Sequence, residues 1–503
     1  MDELNSIVIV GGGTAGWLTA SLLAGRLDTN KVSVCLVESP DVPTIGVGEG
    51  STPQIVQCLR ALGIKNSEWM PACKATRKMG IRFEGWGRRD FAHPFFLYGD
   101  RITYQQLGES NPNLLPLLAK AHCDDESFSL DETFLATAVA QDPLFQRYVD
   151  ALPDRVSWGA FHFDAGLLGG FLGDWARAQG VLYKSANVLA AQRDEQGDVV
   201  SLTLDTGEEL AGDLFFDCTG FRALLIDKVL EEPFLTYDRS LLCDRALVVK
   251  LPLDDGQLRP PPYTVSTTLD AGWVWQIPLA DAMGCGYVFS GDCSSDNDAE
   301  REFRAVLRRK YGAVAGRASS RLIHFETGRR ENAWVHNCVS VGLSSTFIEP
   351  LEATSIAMSL VSVARFLLAF ERQGSGPEAR DTYNRELADI NDGVRDFIIM
   401  HYVSASREDT PFWRACREEA LIPDSLAEIL AAWREQGRLE IEESSFFADL
   451  SWFCMMTGGN DYPQSGVLAS VGESASVVAN LMESNRINLG KYQRWMKSEL
   501  ELR

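Results

Sequence analysis

The sequence predicts an α/β fold that opens with a βαβ nucleotide-binding module, continues into a substrate-side β-sheet and ends in a mainly helical region. A β-branched strand, a glycine-rich turn and a helical segment follow one another at the start of the chain. Strands with glycine turns recur in the middle, and long amphipathic segments fill the end. We place the discontinuous α/β part at residues 1–395 and a helical cover of the substrate pocket at residues 396–503.

The start of the chain carries the most specific local signal. IVIV at residues 7–10 is typical of a buried parallel strand; GGGTAG, a helical segment and a second strand ending in Glu38 follow. In this context Gly11 permits a tight turn, Gly13 lets a pyrophosphate approach the backbone, and Gly16 lets helix and strand pack closely. Glu38 would accept hydrogen bonds from the adenosine ribose.

Later strands favour FAD over NAD as the dinucleotide. Residues 199–221 predict a β-meander and a strand that ends in a glycine turn, and residues 337–352 predict another strand, glycine turn and helix. Such returns to a Rossmann-type module resemble the large FAD-dependent monooxygenase-type fold. Because no second glycine fingerprint has a flanking strand and acid, we expect one FAD, which a separate NAD(P)H-dependent flavin reductase supplies as FADH2.

Composition excludes several classes of partner. The 503 residues carry a net charge of −23, which argues against nucleic acid and against an anionic membrane surface. The apolar stretches are too short and too charged to span a bilayer, and MDELNSIVIVGGG has no leader pattern, so a cytoplasmic location is expected. Eleven scattered cysteines predict reduced thiols, and the six histidines lack ligand spacing, so no metal site is predicted.

Five motifs together resemble a known family. They are GGGTAGW (11–17), IGVGEGSTP (45–53), RKMGIRF (77–83), GWVWQIP (272–278) and FIEPLEATSI (347–356). With them, most of the chain resembles the flavin-dependent halogenases, the group named after tryptophan halogenase. The resemblance implies an oxidoreductase that uses FADH2, oxygen and chloride or bromide to form hypohalous acid. That oxidant would pass through a tunnel to an electron-rich aromatic substrate.

The paired tryptophans have two interpretations. A period of two puts Trp273 and Trp275 on one face of a strand that ends near Pro278, and an aromatic core face explains such a pair. The resemblance implies instead that the two indoles form a wall beside the tunnel and keep the substrate away from the flavin.

Two residues match catalytic positions of the family. Lys78 would hold hypohalous acid by a hydrogen bond, or become a haloamine, and Glu352 would remove the ring proton or help to orient the oxidant. The residue pattern alone favours other roles. Lys74, Lys78 and Arg82 have the i, i+4 spacing of a solvated helix face, and a glutamate after FIEP favours a helix N-terminus, a role that suits Glu349 better.

Other positions carry over by register. The resemblance assigns FAD contacts to Gly11, Gly13, Thr14, Ala15, Gly16, Glu38, Gly48, Val188, Leu343 and Ile356. It assigns halide binding by backbone amides at a helix start to Thr354 and Ser355. His93 and Phe95 match residues that sandwich the substrate ring, whereas a lone histidine in a loop is otherwise incidental.

Two departures from the family pattern bear on specificity. The chain reads PLEAT-Ser where the family reads PLEST-Gly, so Ser355 would be strained if that position needs a positive φ. At SWFC, Trp452 and Phe453 replace a Tyr-Tyr pair that helps to bind the amino-acid backbone of tryptophan, so phenol donors are lost. We expect an indole-like arene rather than free tryptophan, unless both aromatics belong to the core.

Other functions stay open from the sequence. A flavin-dependent aromatic hydroxylase (a monooxygenase) would insert oxygen, which the Trp pair and Lys78 argue against. A catalytically silent flavin-binding protein is another alternative. A halogenase that acts on a carrier-tethered substrate would bind a carrier protein without turning over small arenes. The sequence also leaves a homodimer open.

Overall fold

The computed structural model describes residues 4–42, 48–152, 159–253, 262–316, 318–473 and 475–501. Two units make up the chain, and each is assembled from three separate stretches. The first unit comprises Met1–Ala75, Phe163–Asp238 and Glu326–Asp392, and the second comprises Thr76–His162, Arg239–Phe325 and Gly393–Arg503. Whether residues 396–503 cover a substrate pocket stays a prediction.

Strands and helices follow one another along the described chain. The strands are β1 (Ser6–Val10), β2 (Ser33–Glu38), β3 (Glu49–Gly50), β4 (Thr76–Lys78), β5 (Gly80–Glu84), β6 (Phe91–Pro94), β7 (Ala160–Phe163), β8 (Leu182–Ser185), β9 (Val188–Arg193), β10 (Val199–Leu204), β11 (Glu209–Ala211), β12 (Leu214–Asp217), β13 (Phe234–Thr236), β14 (Arg245–Pro252), β15 (Thr264–Leu269), β16 (Gly272–Pro278), β17 (Ala282–Phe289), β18 (Arg321–His324), β19 (Gly328–Arg330), β20 (Trp334–Val335), β21 (Cys338–Ser340) and β22 (Thr346–Phe347). The helices are α1 (Thr14–Arg26), α2 (Gln54–Ala61), α3 (Asn66–Ala72), α4 (Tyr98–Ser110), α5 (Leu114–Asp124), α6 (Leu135–Gln141), α7 (Pro143–Tyr148), α8 (Ala165–Ala178), α9 (Asp296–Tyr311), α10 (Ser355–Gln373), α11 (Pro377–Ser404), α12 (Pro411–Glu418), α13 (Asp424–Gln436), α14 (Asp449–Gly459), α15 (Ser465–Ser470) and α16 (Ala475–Glu501).

The first unit is built on a six-stranded sheet in the order β20-β21-β12-β1-β2-β8, in which only the β20–β21 pair is antiparallel among the described strands. The IVIV run lies in β1, between β12 and β2, and is buried as its β-branched composition predicts. Helix α1 follows directly and packs against α8 and α10. This βαβ arrangement confirms the predicted Rossmann-type module.

The first unit also contains the predicted meander. Strands β9, β10 and β11 pair antiparallel in sequence order, and β12 then enters the six-stranded sheet. Val8, Val37, Leu202 and Phe215 belong to one buried cluster, so the meander and the parallel sheet share a core. The second predicted return, β21 followed by the turn at Gly342 (φ 73°) and by α10, is also present.

The second unit is built on a seven-stranded sheet in the order β18-β14-β17-β16-β15-β5-β6. Its neighbours are antiparallel apart from β15 and β5. Val274 and Tyr287 pack with Phe303 and Leu307 of α9, so α9 covers one face of this sheet. Because side chains alternate along a strand, Trp273 and its neighbours at even spacing occupy the opposite face.

The C-terminal region is mainly helical, as predicted. The segment DSLAEILAAWREQ forms α13, which buries Leu426, Leu430 and Trp433 at helical spacing, and the last predicted helix is α16. All eleven cysteines are free and most are buried. Within the described part of the chain, no helix has the length and hydropathy that crossing a membrane requires.

Candidate functional site

The turn between β1 and α1 leaves space in front of a helix N-terminus. Gly11 has a φ of 111°, and a Cβ there would overlap the backbone of Cys218. A Cβ on Gly16 would overlap the carbonyl oxygen of Gly11, so only glycine permits this close packing. At Gly13, in contrast, no described atom lies within 4 Å of the Cβ position, and the first turn of α1, from Thr14, contains no acid. Open space and exposed helix N–H groups fit the pyrophosphate of FAD.

Glu38 ends β2 beside this turn. A Cβ on Gly12 would overlap the Glu38 side chain, and the Tyr183 hydroxyl donates to Glu38 Oε2 over 3.2 Å. The N–H of Ala186 donates to the Glu38 carbonyl oxygen over 3.0 Å, two residues before Val188 begins β9. The predicted ribose and adenine contacts therefore lie along one edge of the module. Tyr183 was not predicted, because its place beside Glu38 follows from the pairing of β2 with β8.

The predicted flavin contacts that lie later in the chain reach the same module. Leu343 lies in a short 3-10 turn after β21, and a Cβ on neighbouring Gly342 would lie 2.8 Å from the methyl group of Ala15. Ile356 is buried in the first turn of α10. Segments far apart in sequence thus surround the glycine turn, and the residues present fit a bound FAD.

Gly48 precedes a titratable carboxyl group. Gly48 has a φ of 117°, and residues 45–47 of its motif lie outside the described residues. Burial, and secondly the Asp164 carboxylate, raise the pKa of Glu49 to about 7. Asp164 is itself held by the N–H of Leu167, over 3.0 Å, at the start of α8. The charge of Glu49 therefore changes near neutral pH.

Glu352 and Glu349 flank a short 3-10 helix, and both are fully buried. Glu349 is the N-cap residue of this 3-10 helix, so the helix-end role suggested for it stays a prediction. Because both side chains are 0% exposed, burial alone does not indicate which of the two carboxyl groups takes part in the chemistry.

The PLEAT-Ser segment leads into α10. Thr354 is the N-cap residue, without a side-chain capping bond, and Ser355 is the first helical residue. The residue with a left-handed backbone is Ala353, at φ 55°, and Ser355 is not in that region. The strain considered for Ser355 therefore does not arise, because the helix begins at that residue with ordinary helical geometry.

Lys78 is the central candidate residue of the second unit. It ends β4 and is 0% exposed, and its Nζ lies 5.2 Å from the centroid of the Phe95 ring. The alternative of a solvated helix face is wrong, because Lys78 and Arg82 lie on strands β4 and β5 and Lys74 has a left-handed backbone at φ 53°. Lys78 and Phe95, predicted separately, form one cation–π contact.

His93 belongs to a cluster of rings. It lies on strand β6 and is buried, so its expected place in a loop is wrong. Its ring centroid lies 5.9 Å from that of Phe397 and 6.3 Å from that of Phe447. Phe397 stacks on Phe447 at 3.9 Å and meets Trp452 edge-on at 5.1 Å. We call His93, Phe397, Phe447 and Trp452 the aromatic cluster. No local motif marks Phe397 or Phe447, because they join His93 only in the folded unit.

Helix α14 directs Trp452 and Phe453 to different neighbours, since adjacent helical residues point about 100° apart. Trp452 joins the aromatic cluster, whereas Phe453 is 0% exposed and meets Trp433 of α13 edge-on at 6.1 Å. Trp433 is fixed in turn by donating from Nε1 to the Asp461 carbonyl oxygen over 2.9 Å. Phe453 therefore packs as a core residue, and Trp452, at 3% exposed, is buried among the rings of the aromatic cluster.

Trp273 and Trp275 share one face of β16, with ring centroids 6.1 Å apart. Trp273 Nε1 donates to the Tyr402 hydroxyl over 2.8 Å. The indole of Trp275 lies over Gly286, where any Cβ would overlap it, and its buried Nε1 meets no acceptor among the described residues. Tyr402, which the sequence did not point to, holds one indole, and the missing side chain of Gly286 accommodates the other.

The comparisons with known proteins agree over nearly the whole chain. The family model for tryptophan halogenase matches residues 6–471. The chain is 35% identical over 498 residues to the 7-chloro-L-tryptophan 6-halogenase KtzR of Kutzneria sp. (strain 744), covering 93% of this chain and 94% of that protein.

Solved structures show the same relationship. The tryptophan 6-halogenase SttH of Streptomyces toxytricini superposes with a TM-score of 0.82 at 31% identity, covering 97% of this chain and 98% of that one. Xcc4156, a flavin-dependent halogenase from Xanthomonas campestris, superposes with a TM-score of 0.84 at 33% identity, covering 97% and 96% of the two chains. This chain therefore belongs to the tryptophan halogenase family, a family of flavin-dependent enzymes that use FAD and a halide.

Proposed function

We propose that this protein halogenates a small electron-rich arene, indole-like rather than free tryptophan, with hypohalous acid that Lys78 presents to the ring. The observation that carries the proposal is the fully buried Lys78 ammonium beside the Phe95 ring. Lysine is among the residues least often fully buried, so such a position in an enzyme favours a role in the chemistry.

The first unit would hold the cofactor and the halide. The residues that would contact FAD are Gly11, Gly13, Thr14, Ala15, Gly16, Glu38, Gly48, Val188, Leu343 and Ile356. When bound as FADH2, the flavin supplies, with oxygen, the oxidising power that converts chloride or bromide to hypohalous acid. Backbone amides of Thr354 and Ser355, at the N-terminus of α10, would bind the halide. A separate NAD(P)H-dependent reductase would provide the reduced flavin.

Lys78 would activate the oxidant. Its ammonium donates a hydrogen bond to the oxygen of hypohalous acid and draws electrons away from the halogen. The ring carbon forms a bond to the halogen while the oxygen–halogen bond breaks, and the departing hydroxide takes the Lys78 proton and leaves as water. The net change is that arene and hypohalous acid give haloarene and water.

Glu352 would complete the substitution by accepting the proton from the halogenated ring carbon, which restores aromaticity. Transfer of that proton through solvent to Lys78 returns both groups to their starting states. Trp273 and Trp275 would form the wall that keeps the arene from the flavin, and no proton transfer is needed from either indole.

The aromatic cluster and Phe95 supply the argument for an indole-like substrate. Phe397, Phe447 and Trp452 are buried and pack on one another, so the surroundings of His93 are aromatic and apolar, which suits a flat apolar arene better than a zwitterion. Trp452 and Phe453 together keep one N–H donor where the family pattern has two phenol hydroxyls, so one donor for the charged groups of an amino acid is lost.

The test is mass spectrometry of indole incubated with the protein, FAD, a separate flavin reductase, NADH and bromide or chloride. The expected product carries a halogen isotope pattern, and Lys78→Ala should lower its yield by at least on the order of a thousandfold. Lys250→Ala, at an exposed strand position of the same unit, is the matched control and should retain the yield.

Other outcomes of this experiment would contradict the proposal. A product heavier by one oxygen and lacking halogen would indicate the hydroxylase. Turnover of free tryptophan in preference to indole would overturn the substrate assignment alone. Binding of a carrier protein without turnover of any small arene would favour a tethered substrate.

A further inference from the structure

A buried histidine lies close to Lys78 and has no role in the chemistry above. His162 lies on β7 and is 0% exposed. Strands β4 and β7 pair antiparallel, with Thr76 opposite His162 and Lys78 opposite Ala160. Because side chains alternate along a strand, Thr76 and Lys78 share one face of β4, and His162 shares that face on β7.

Both ring nitrogens of His162 have hydroxyl partners. Nδ1 lies 3.3 Å from Thr76 Oγ1, and Nε2 lies 2.9 Å from Thr264 Oγ1. Thr76 Oγ1 also donates its single proton to the carbonyl oxygen of Pro278, over 2.6 Å. Thr76 can therefore only accept from His162, so Nδ1 carries the proton and Nε2 accepts from Thr264. Burial, and secondly the charge of Lys78, lower the pKa of His162 well below its ordinary value, which keeps the ring neutral.

These bonds connect three strands that carry the candidate residues. Thr76 lies on the strand of Lys78, Thr264 begins β15, and Pro278 ends β16, the strand of Trp273 and Trp275. The next backbone group after Lys78 is tied in the same way, because the N–H of Met79 donates to the Pro262 carbonyl oxygen over 2.6 Å. Among the described residues, the neutral imidazole of His162 is the only side chain whose hydrogen bonds link Thr76 to Thr264.

We infer that His162 is a positioning residue for Lys78: its neutral Nδ1–H tautomer, through Thr76, sets the strand of Lys78 against the strand of the paired tryptophans. The inference rests on the proposed function of Lys78. Reactions between aligned groups are sensitive to displacements of about 1 Å, so loss of this bond lowers transfer of halogen to the arene. It leaves formation of hypohalous acid intact, and the oxidant that misses Lys78 escapes into solution.

The experiment uses the full chain with FAD, a reductase and bromide, and compares three variants. His162→Leu removes both hydrogen bonds, His162→Asn keeps a donor at the Nδ1 position, and His162→Gln keeps an acceptor at the Nε2 position. The readout is the ratio of bromoindole to free hypobromous acid, captured by a soluble diketone trap, together with the KM for indole. A merely structural role would lower both products together and leave their ratio unchanged.

We expect the ratio to fall on the order of tenfold in His162→Leu, with KM almost unchanged, and to be largely retained in His162→Asn. If His162→Leu does not fold, the comparison between the amide variants decides, with the ratio expected to be higher for Asn than for Gln. An unchanged ratio in His162→Leu, or equal ratios in Asn and Gln, would overturn the inference. An unchanged yield of bromoindole in Lys78→Ala, with His162 retained, would instead overturn the proposed function.

A second readout needs no turnover. Long-range proton–nitrogen NMR of protein labelled at its six histidines, with His162→Gln used for assignment, reports the tautomer directly. We expect an Nδ1–H signal that persists across the neutral pH range. An Nε2–H tautomer, or a ring that protonates in that range, would contradict the hydrogen-bond chain.

Discussion

The glycine turn of the first unit and the surroundings of Lys78 in the second unit solve opposite problems. At the turn, Gly11, Gly13 and Gly16 act by lacking a side chain, either to allow close backbone packing or to leave space. Around Lys78, buried polar and aromatic side chains act by being present, and their partners come from distant strands and helices. A phosphate-binding turn is therefore determined locally, whereas the surroundings of a reactive side chain depend on long-range packing.

The largest expected effect is on stability, and it distinguishes a glycine needed for close packing from a glycine that leaves space for the cofactor. Gly16→Ala places a Cβ against the carbonyl oxygen of Gly11 and should lower the free energy of unfolding by about 3 kcal/mol, even without flavin. Gly13→Ala meets no described atom and should change the stability of the flavin-free protein by less than about 0.5 kcal/mol. Its methyl group would occupy the proposed phosphate space, so FAD affinity should still fall at least about tenfold.

Urea unfolding and a titration of flavin fluorescence measure the two quantities. Unchanged FAD affinity in Gly13→Ala would show that the phosphates bind elsewhere. Equal stabilities for the two variants would show that the close approach at Gly16 is relieved at little cost.

The second prediction compares the two indoles in the second unit. Trp273→Phe removes a donor from the Tyr402 hydroxyl, whereas Trp275→Phe removes no hydrogen bond seen among the described residues. Both variants lose similar volume, so the free energy of unfolding should fall by about 1 kcal/mol more for Trp273→Phe. Chemical denaturation measures the difference. When both substitutions are made in a protein that also carries Tyr402→Phe, the difference in unfolding free energy should disappear. A difference that remains would show that packing, and not the hydrogen bond, causes it.

A pH dependence should mark Glu49. Its pKa is raised from 4.5 to about 7 in the folded protein, so folding favours the protonated form. The stabilising contribution is therefore complete below about pH 4.5 and is lost as the pH rises through about 7. Glu49→Gln should match the unsubstituted protein near pH 5 and exceed its stability near pH 8 by about 1 kcal/mol, a value reduced because the side chain is partly exposed.

Thermal unfolding of the flavin-free protein at both pH values provides the measurement. Glu68→Gln, at an exposed position of the same unit, should show no such crossover between the two pH values. Identical behaviour of the two variants would assign the effect to net charge.

The smallest expected effect concerns the PLEAT-Ser segment. Ala353 has a φ of 55°, so Ala353→Gly should raise the free energy of unfolding by about 0.5 kcal/mol. Ser355→Gly, at the first residue of α10, should lower it by about 0.5 kcal/mol because glycine weakens a helix. Calorimetry of the two variants measures whether each change in unfolding free energy has the expected sign. Stabilisation by Ser355→Gly would show that Ser355 is the residue with a positive φ.

Sequence alone determined the Rossmann-type module, the meander, the helical C-terminal region and the face that Trp273 and Trp275 share. These features rest on near-neighbour rules: strand and helix periodicity, and the φ that a glycine allows. The five motifs also indicate the halogenase family, since each motif is a short run of neighbouring residues. These features are predictable from sequence because residues close together in the chain determine each of them.

Tertiary structure alone decided the surroundings of the side chains. Lys78 lies on a buried strand instead of a solvated helix face, and His93 lies on a strand instead of a loop. Phe453 and Trp452 contact different neighbours, and the residue with a left-handed backbone is Ala353. The tertiary structure also brought His162 to both threonines, and Tyr402 to Trp273. Burial and hydrogen-bond partners depend on which strands and helices meet, and the three hydrogen bonds just named join residues 86, 102 and 129 positions apart.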